Sequence, residues 1–237
     1  QDPAEAIGIK WIKVEPGTFE MGSPASEDGA DPDETQHTVT LTKGYYISKY
    51  PITFEQYDKF CEATGREKPK DFNWGRGKRP VVDVTWNDAQ AFCEWLGCRL
   101  LTEAEWEYAC RAGTTTPFST GDNVTTDQAN YDGTEPYKDY PEGIYRGRTT
   151  EVDELDNENP WGICDMHGNV YEWCADVYDN YPSTAVTDPT GPATGNDRVM
   201  RGGSWGHNAC FARSANRFSD FQTMSADNVG FRVARDL

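Results

Sequence analysis

Three segments in the first half of the chain carry apolar residues at helical spacing. Tyr57, Phe60 and Cys61 follow Thr53; Ala89, Phe92, Cys93 and Leu96 follow Thr85; Trp106, Ala109 and Cys110 follow Thr102. Residues three and four apart share one face of a helix, so each segment predicts an amphipathic helix lying on a core. Each opens on a threonine with Gln56, Asp88 or Glu105 three residues later, the arrangement that closes a capping box. Gly65, Gly97 and Gly113 are the expected stops. Short apolar runs predict strands at 9–14, 18–22, 38–41 and 45–48, and later at 170–174, 199–204 and 230–234.

Other stretches have no period. Residues 24–34 read as an acidic, solvated loop, and 113–159 as a long irregular stretch rich in Gly, Asp, Thr and Tyr. Loops of that length inside a domain are usually functional or clamped. The tail is the most informative part. Three blocks, Arg201-Gly202-Gly203-Ser204-Trp205, Arg213-Ser214-Ala215-Asn216-Arg217 and Asn228-Val229-Gly230-Phe231-Arg232, read as a frame. Between them, 206–212 and 218–227 follow neither a strand nor a helix period, and Phe211, Phe218 and Phe221 stand there among Gly, Ser, Asp and Thr. A frame that carries side chains of arbitrary type suggests a recognition surface. No repeat or low-complexity segment divides the chain, so the pattern predicts one α+β domain over 1–237, with a variable segment at about 201–235.

The formal charge of -18 argues against nucleic acid and anionic membrane surfaces as partners. It favours neutral or cationic partners, or bound cations, and serves solubility. Seven cysteines, an odd number, show no C-x-x-C spacing, and several lie on apolar helix faces, so buried thiols are expected. No apolar run is long enough to span a bilayer and no secretory signal is present. Gln1 in place of Met implies a removed N-terminus, which would have held any signal or lipoprotein anchor. Trp11, Trp86, Trp95, Trp106, Trp161 and Trp173 are read as core. Arg213 and Arg217 are expected to hold the frame by hydrogen bonds. The acidic run from Glu151 to Glu158 is expected to be solvated or to lean on Arg146 or Arg148.

One turn, residues 165–173, sets Asp165 and Glu172 on either side of Gly168, with backbone carbonyls free to join two carboxylates around a hard cation. That signal becomes specific through a resemblance. VEPGTFEMGS at 14–23, YISKYPIT at 46–53, RLLTEAEWEYACRAG at 99–113, NPWGICDMHGNVYEW at 159–173, RGGSW at 201–205 and the closing NVGFR resemble, in order, the formylglycine-generating enzyme family. The resemblance implies a C-type-lectin-like fold with much irregular structure. It also implies a structural calcium ion held by Asp165, Glu172 and the carbonyls of Gly168 and Val170. A second calcium site of the family would begin at Ala129-Asn130, but its later ligands do not align with 143–145.

The family's enzymes bind copper through two cysteines after Gly-Gly-Ser. Here the segment between Ser204 and Arg213 is shorter and holds Cys210 alone, with His207 near the first position, so no copper is expected. The related iron-dependent sulfoxide synthases need a His-rich site, which His37, His167 and His207 do not provide. The tail instead resembles the variable proteins of diversity-generating retroelements, in which Asn codons between fixed blocks are randomised at adenines. Such AAY codons cannot yield Lys, Glu, Gln, Met or Trp. Gly206, His207, Cys210, Phe211, Phe218, Ser219, Asp220, Phe221, Thr223, Ala226 and Asp227 are all permitted types and are the expected variable, ligand-binding positions. Gln222 and Met224 are taken as fixed; Asn208 and Asn228 are read as unaltered template residues. The resemblance implies a non-enzymatic, monomeric display protein at a bacterial or phage surface, with a protein or glycan ligand. A degenerate copper oxidase and an undiversified accessory domain are the alternatives.

Overall fold

The three threonine-led helices form where the periodicity places them. The computed structural model describes residues 3–237, so Gln1 and Asp2 lie outside the described residues. In chain order the elements are α1 (Pro3–Ala6), β1 (Trp11–Val14), β2 (Gly17–Met21), β3 (His37–Leu41), β4 (Tyr45–Ser48), α2 (Phe54–Thr64), α3 (Trp86–Leu96), α4 (Glu103–Arg111), β5 (Tyr171–Val177), β6 (Val186–Thr187), β7 (Asp197–Arg201), β8 (Arg217–Phe221), β9 (Val229–Gly230) and β10 (Ala234–Asp236). Thr53, Thr85 and Thr102 each close a full capping box with the residue three further on. Each such cap contributes about 1 kcal/mol. Gly65 and Gly97 stop α2 and α3 in the left-handed conformation, but α4 ends on Ala112 (φ 47°), one residue before the expected Gly113.

The central sheet has the order β8-β7-β5-β9. It runs antiparallel at β7–β5 (Glu172 opposite Arg201) and β7–β8 (Arg201 opposite Arg217), and parallel at β5–β9 (Glu172 opposite Gly230). This register lays the three tail blocks beside one another, on the strand that leaves the 165–173 turn. The expected strand at 230–234 is split: β9 stays in the central sheet while β10 pairs with β4. Phe231 and Val233 cross between the two sheets fully buried. The strand β8 shows no alternation in the sequence because it is an edge strand, with Phe218 and Phe221 exposed.

Two large apolar clusters fill the domain. One packs α2 and α3 on Trp173, Met200 and Phe231; the other packs β1–β4 and α4 on Trp106, Ile163 and Val199. A third, smaller cluster (Phe118, Val124, Ala129, Tyr131 and Tyr137, with Ala209 and Ala212) lies under the irregular stretch and clamps it to the tail. Of the tryptophans read as core, Trp106 and Trp173 are buried. Trp11, Trp86 and Trp161 are half-buried, and Trp95 is exposed, its ring tilted against Phe60 and Phe92.

Asp176, near the end of β5, accepts a hydrogen bond from the Glu103 amide at 2.8 Å and so satisfies a free N–H of the first turn of α4. Burial first, and the like charges of Glu103 and Glu105, push its carboxyl up to about 7. The folded protein therefore keeps this proton over a range where the unfolded chain has released it. Stability contributed by the neutral acid is full below about pH 4 and is lost as pH rises towards 7, by on the order of 4 kcal/mol. Urea unfolding should find Asp176→Asn more stable than the parent at pH 7.5 and close to it at pH 4. Parallel pH profiles for the two proteins would contradict this.

Candidate functional site

Each tail block is anchored by a buried arginine that meets a glutamate from elsewhere in the chain. Arg201 pairs with Glu107 and, at 3.3 Å, with Glu103, and donates to the carbonyls of Ser214 (2.8 Å) and Ala215 (3.1 Å). Arg217 holds Glu103 in a two-pronged bridge at 2.7 and 2.9 Å. Arg213 donates to Glu34 at 2.7 and 2.9 Å and to Glu27 at 2.7 Å. Arg232 embraces Glu172 at 2.6 and 2.8 Å, and Trp106 Nε1 donates to the same carboxylate at 2.7 Å. Burial alone would raise the Glu107 carboxyl, but Arg111 and Arg201 outweigh it and hold it below the usual range. The acidic loop expected to be solvated thus supplies counter-ions: Glu34 is buried, and so is the Glu27 side chain. In the run 151–158, Asp153 and Glu158 pair with Lys78 and Lys49, not with Arg146 or Arg148.

Backbone conformation carries the chain from this frame to the surface. Gly203 has φ 69°, and a Cβ there would lie 2.8 Å from the Phe211 carbonyl oxygen. Only glycine lets the first run fold back over the frame. That run then closes in a 3-10 turn, Ala209–Ala212, capped by Asn208.

None of the eleven expected variable residues is buried, whereas every residue of Arg201–Ser204, Arg213–Arg217 and Val229–Arg232 is. The two runs meet through rings. Phe218 lies 5.4 Å from Tyr171, Tyr171 lies 5.2 Å from His207, and His207 lies 5.2 Å from Phe211, centroid to centroid. Tyr171 is the fixed, buried floor of this chain of rings, and its hydroxyl has no hydrogen-bond partner. Phe218 and Phe221 are 42% and 62% exposed, and Phe211 is half-buried. Gly206 and Thr223 are exposed; Ser219, Asp220 and Asp227 are half-buried. Cys210 and Ala226 instead lean on core clusters. His207 Nδ1 meets the Ser204 hydroxyl at 2.7 Å, while the Cys210 side chain lies against Gly29.

A rim beside this surface was missed in the sequence. Trp74 and Tyr145 pack on Trp205 at 5.3 and 6.3 Å, and Phe72 packs on Trp74 at 5.5 Å. The signal was available, since Phe72 and Trp74 are aromatics in an aperiodic run of Asp, Asn, Gly and Lys.

At the expected calcium ligands some acceptor oxygens are free and others are engaged. Asp165 is buried with φ 56°, accepts from Asn157 at 2.8 Å through Oδ1, and has no partner at Oδ2. An orphaned buried carboxylate oxygen fits a cation. Burial foremost pushes this carboxyl up to about 7. The Gly168 carbonyl accepts from the Val170 amide at 2.9 Å and keeps a second lone pair. Glu172 departs from expectation: as the counter-ion of Arg232 it accepts two donors at Oε2 and one at Oε1, so Oε1 alone has room. At the other family position, Asn130 Oδ1 is likewise buried without a partner. His167 is structural, with Nδ1 donating to the Ala212 carbonyl at 2.7 Å and Nε2 meeting the Ser119 amide and hydroxyl.

A model of the sulfatase-modifying factor enzyme 1-like domain matches residues 3–237. The formylglycine-generating enzyme of Streptomyces coelicolor is 37% identical over 289 residues, covering 95% of this chain and 88% of that enzyme. The structure of PvdO from Pseudomonas aeruginosa aligns with TM-score 0.81 at 32% identity, over 96% of this chain and 94% of that one. Variable protein 1 of Treponema denticola shares the fold, with TM-score 0.80 at 24% identity over 97% and 95% of the two chains. The chain spans about two fifths of the length of the Chlamydia trachomatis serine/threonine-protein kinase Pkn1, which it matches at 33% identity.

Removing one partner of a buried ion pair strands the other charge and costs about 3–5 kcal/mol. Arg213→Met leaves Glu34 and Glu27 without their counter-ion and should therefore lower stability by at least that amount, while Phe221→Ser should change it by less than about 0.5 kcal/mol. Urea midpoints measure both, and equal effects would refute the division into frame and surface.

Proposed function

The chain belongs to the sulfatase-modifying factor enzyme 1-like family, and we propose that this member is a binding protein rather than a catalyst: a C-type-lectin-like scaffold displaying a diversified ligand site on residues 206–227. The observation that carries the reading is the division of the tail. Its fixed blocks are buried, apart from the half-buried Trp205 and Asn228, and ion-paired, while none of the eleven expected variable residues, which come from two separate runs, is buried. Positions outside the core tolerate change, since core substitutions cost several kcal/mol and surface ones little. Exposed aromatics such as Phe218 and Phe221 are the usual anchors of a protein or glycan interface. The fold shared with a variable protein supports the same reading.

Copper oxidase chemistry is the second reading, and the site disfavours it. Cys210 stands alone in its segment, and burial pushes its thiol up, opposite to what a metal thiolate requires. A cysteine-containing sulfatase peptide incubated with the protein and copper should not be converted to formylglycine. Conversion that is lost in Cys210→Ala would overturn the binding reading.

Structural calcium belongs to the proposal. Asp165 would hold the ion with the carbonyls of Gly168 and Val170, and Glu172 would contribute only through Oε1. The ion would stabilise the turn that leads into β5. Calcium at a hundredfold excess over its dissociation constant should add about 2.7 kcal/mol. An unchanged melting temperature on chelation would remove calcium from the account.

A monomeric protein on a bacterial or phage surface, diversified by a retroelement, completes the proposal. Deep sequencing of the tail in a population grown from one cell of the source organism tests it. Variation should fall on the eleven positions and spare Gln222, Met224 and the frame. An invariant tail favours the undiversified accessory domain instead.

A further inference from the structure

A second cleft, of about 320 Å³, opens between the start of α4, the end of β5 and the loop 179–192, and none of the eleven surface positions lines it. Two of its carboxylates, Asp176 and the exposed Asp179, form no ion pair among the described residues. Each nitrogen of Arg217 is already donating, to Glu103, to the Asp33 carbonyl at 3.1 Å and to the Asp179 carbonyl at 2.9 Å. Glu103 accepts from Arg217, Arg201 and the Tyr181 hydroxyl. Asp176 is the buried one of the two carboxylates, 6% exposed. Its Oδ2 is held by the Glu103 amide, and no donor from another described residue reaches Oδ1. That oxygen faces Gly191, where an added Cβ would come within 3.4 Å of it.

The rest of the lining fixes the chemistry of an occupant. His37 donates from Nδ1 to the Thr35 carbonyl at 2.9 Å, because a carbonyl can only accept. The cleft therefore offers a carboxyl oxygen, with the Tyr181 hydroxyl and the Arg217 guanidinium both engaged. The Tyr181 ring carries the Arg217 guanidinium at 3.7 Å and the His37 ring at 4.8 Å. Met21, Val177 and Pro182 add apolar wall. A buried carboxyl without a partner is costly unless it is neutral or meets a cation.

We propose that this cleft binds a small primary amine, its ammonium on Asp176 Oδ1 and its short aliphatic body against Val177, Pro182 and Tyr181. The chemistry is that of an alkylammonium, and the site is independent of the display surface, so either can fail without the other. Because burial holds the Asp176 carboxyl near 7, an arriving cation meets an acid that ionises readily at neutral pH.

The test is a ¹⁵N-resolved titration of the whole chain at pH 7.5 with n-butylammonium, and with n-butanol as the uncharged match. The amine should give saturable shifts at the amides of Asp176, Tyr181 and Gly191, and the alcohol none. Asp176→Asn should weaken the amine at least about tenfold. Equal responses to amine and alcohol, unchanged affinity in Asp176→Asn, or no saturable shift at those amides would each overturn the proposal. Should the variant fail to fold, the comparison of amine and alcohol on the parent protein decides alone.

Discussion

Buried arginine–glutamate pairing is the constraint on which the rest of this structure depends. Arg201, Arg213, Arg217 and Arg232, four of the five arginines of the tail, are buried. Each would be prohibitive in the interior alone, because a charge out of water must be paired and hydrogen-bonded. The chain answers with Glu34 from the β2–β3 loop, Glu103 and Glu107 from α4, and Glu172 from β5. Such pairs add little net stability over apolar packing. What they supply here is position. A planar guanidinium with fixed donors fits its carboxylate, and the neighbouring carbonyls, in few orientations. The backbone of the tail is therefore held chiefly by the frame rather than by the side chains that point outward.

That separation explains why the surface can carry arbitrary residues. The first run is tethered at Ala209 and Ala212, which sink into the third cluster, and at Gly203, which permits its return. The second run begins on an edge strand, where one side of the ladder is open, and continues beyond it in an irregular turn. Neither tether uses the side chain of Gly206, His207, Phe218 or Phe221. Cys210 and Ala226 are less free, since each touches a core cluster, and larger residues there would have to displace neighbours.

Much of the fold was legible in the sequence, for identifiable reasons. The helices were readable because apolar period and capping chemistry agree at Thr53, Thr85 and Thr102. The frame was readable as blocks, and the family through six motifs in order. The roles of Glu27, Glu34 and Glu172 were not. A carboxylate looks the same in sequence whether solvated, bound to calcium or facing an arginine, and only the register of β5 with β7 and β9 decides. The strand β8 was missed because an edge strand need not alternate. Trp74 and Tyr145 were missed because aromatics in loops carry no period, and only the fold brings them to Trp205.

The claim that frame and surface are separable is tested most directly by two libraries of the full chain. One randomises the eleven outward positions, and the other randomises an equal number within Arg201–Ser204, Arg213–Arg217 and Val229–Arg232. The fraction of members that resist proteolysis is the readout. The account predicts that most of the first library folds and that almost none of the second does. Similar folded fractions in the two libraries would contradict it.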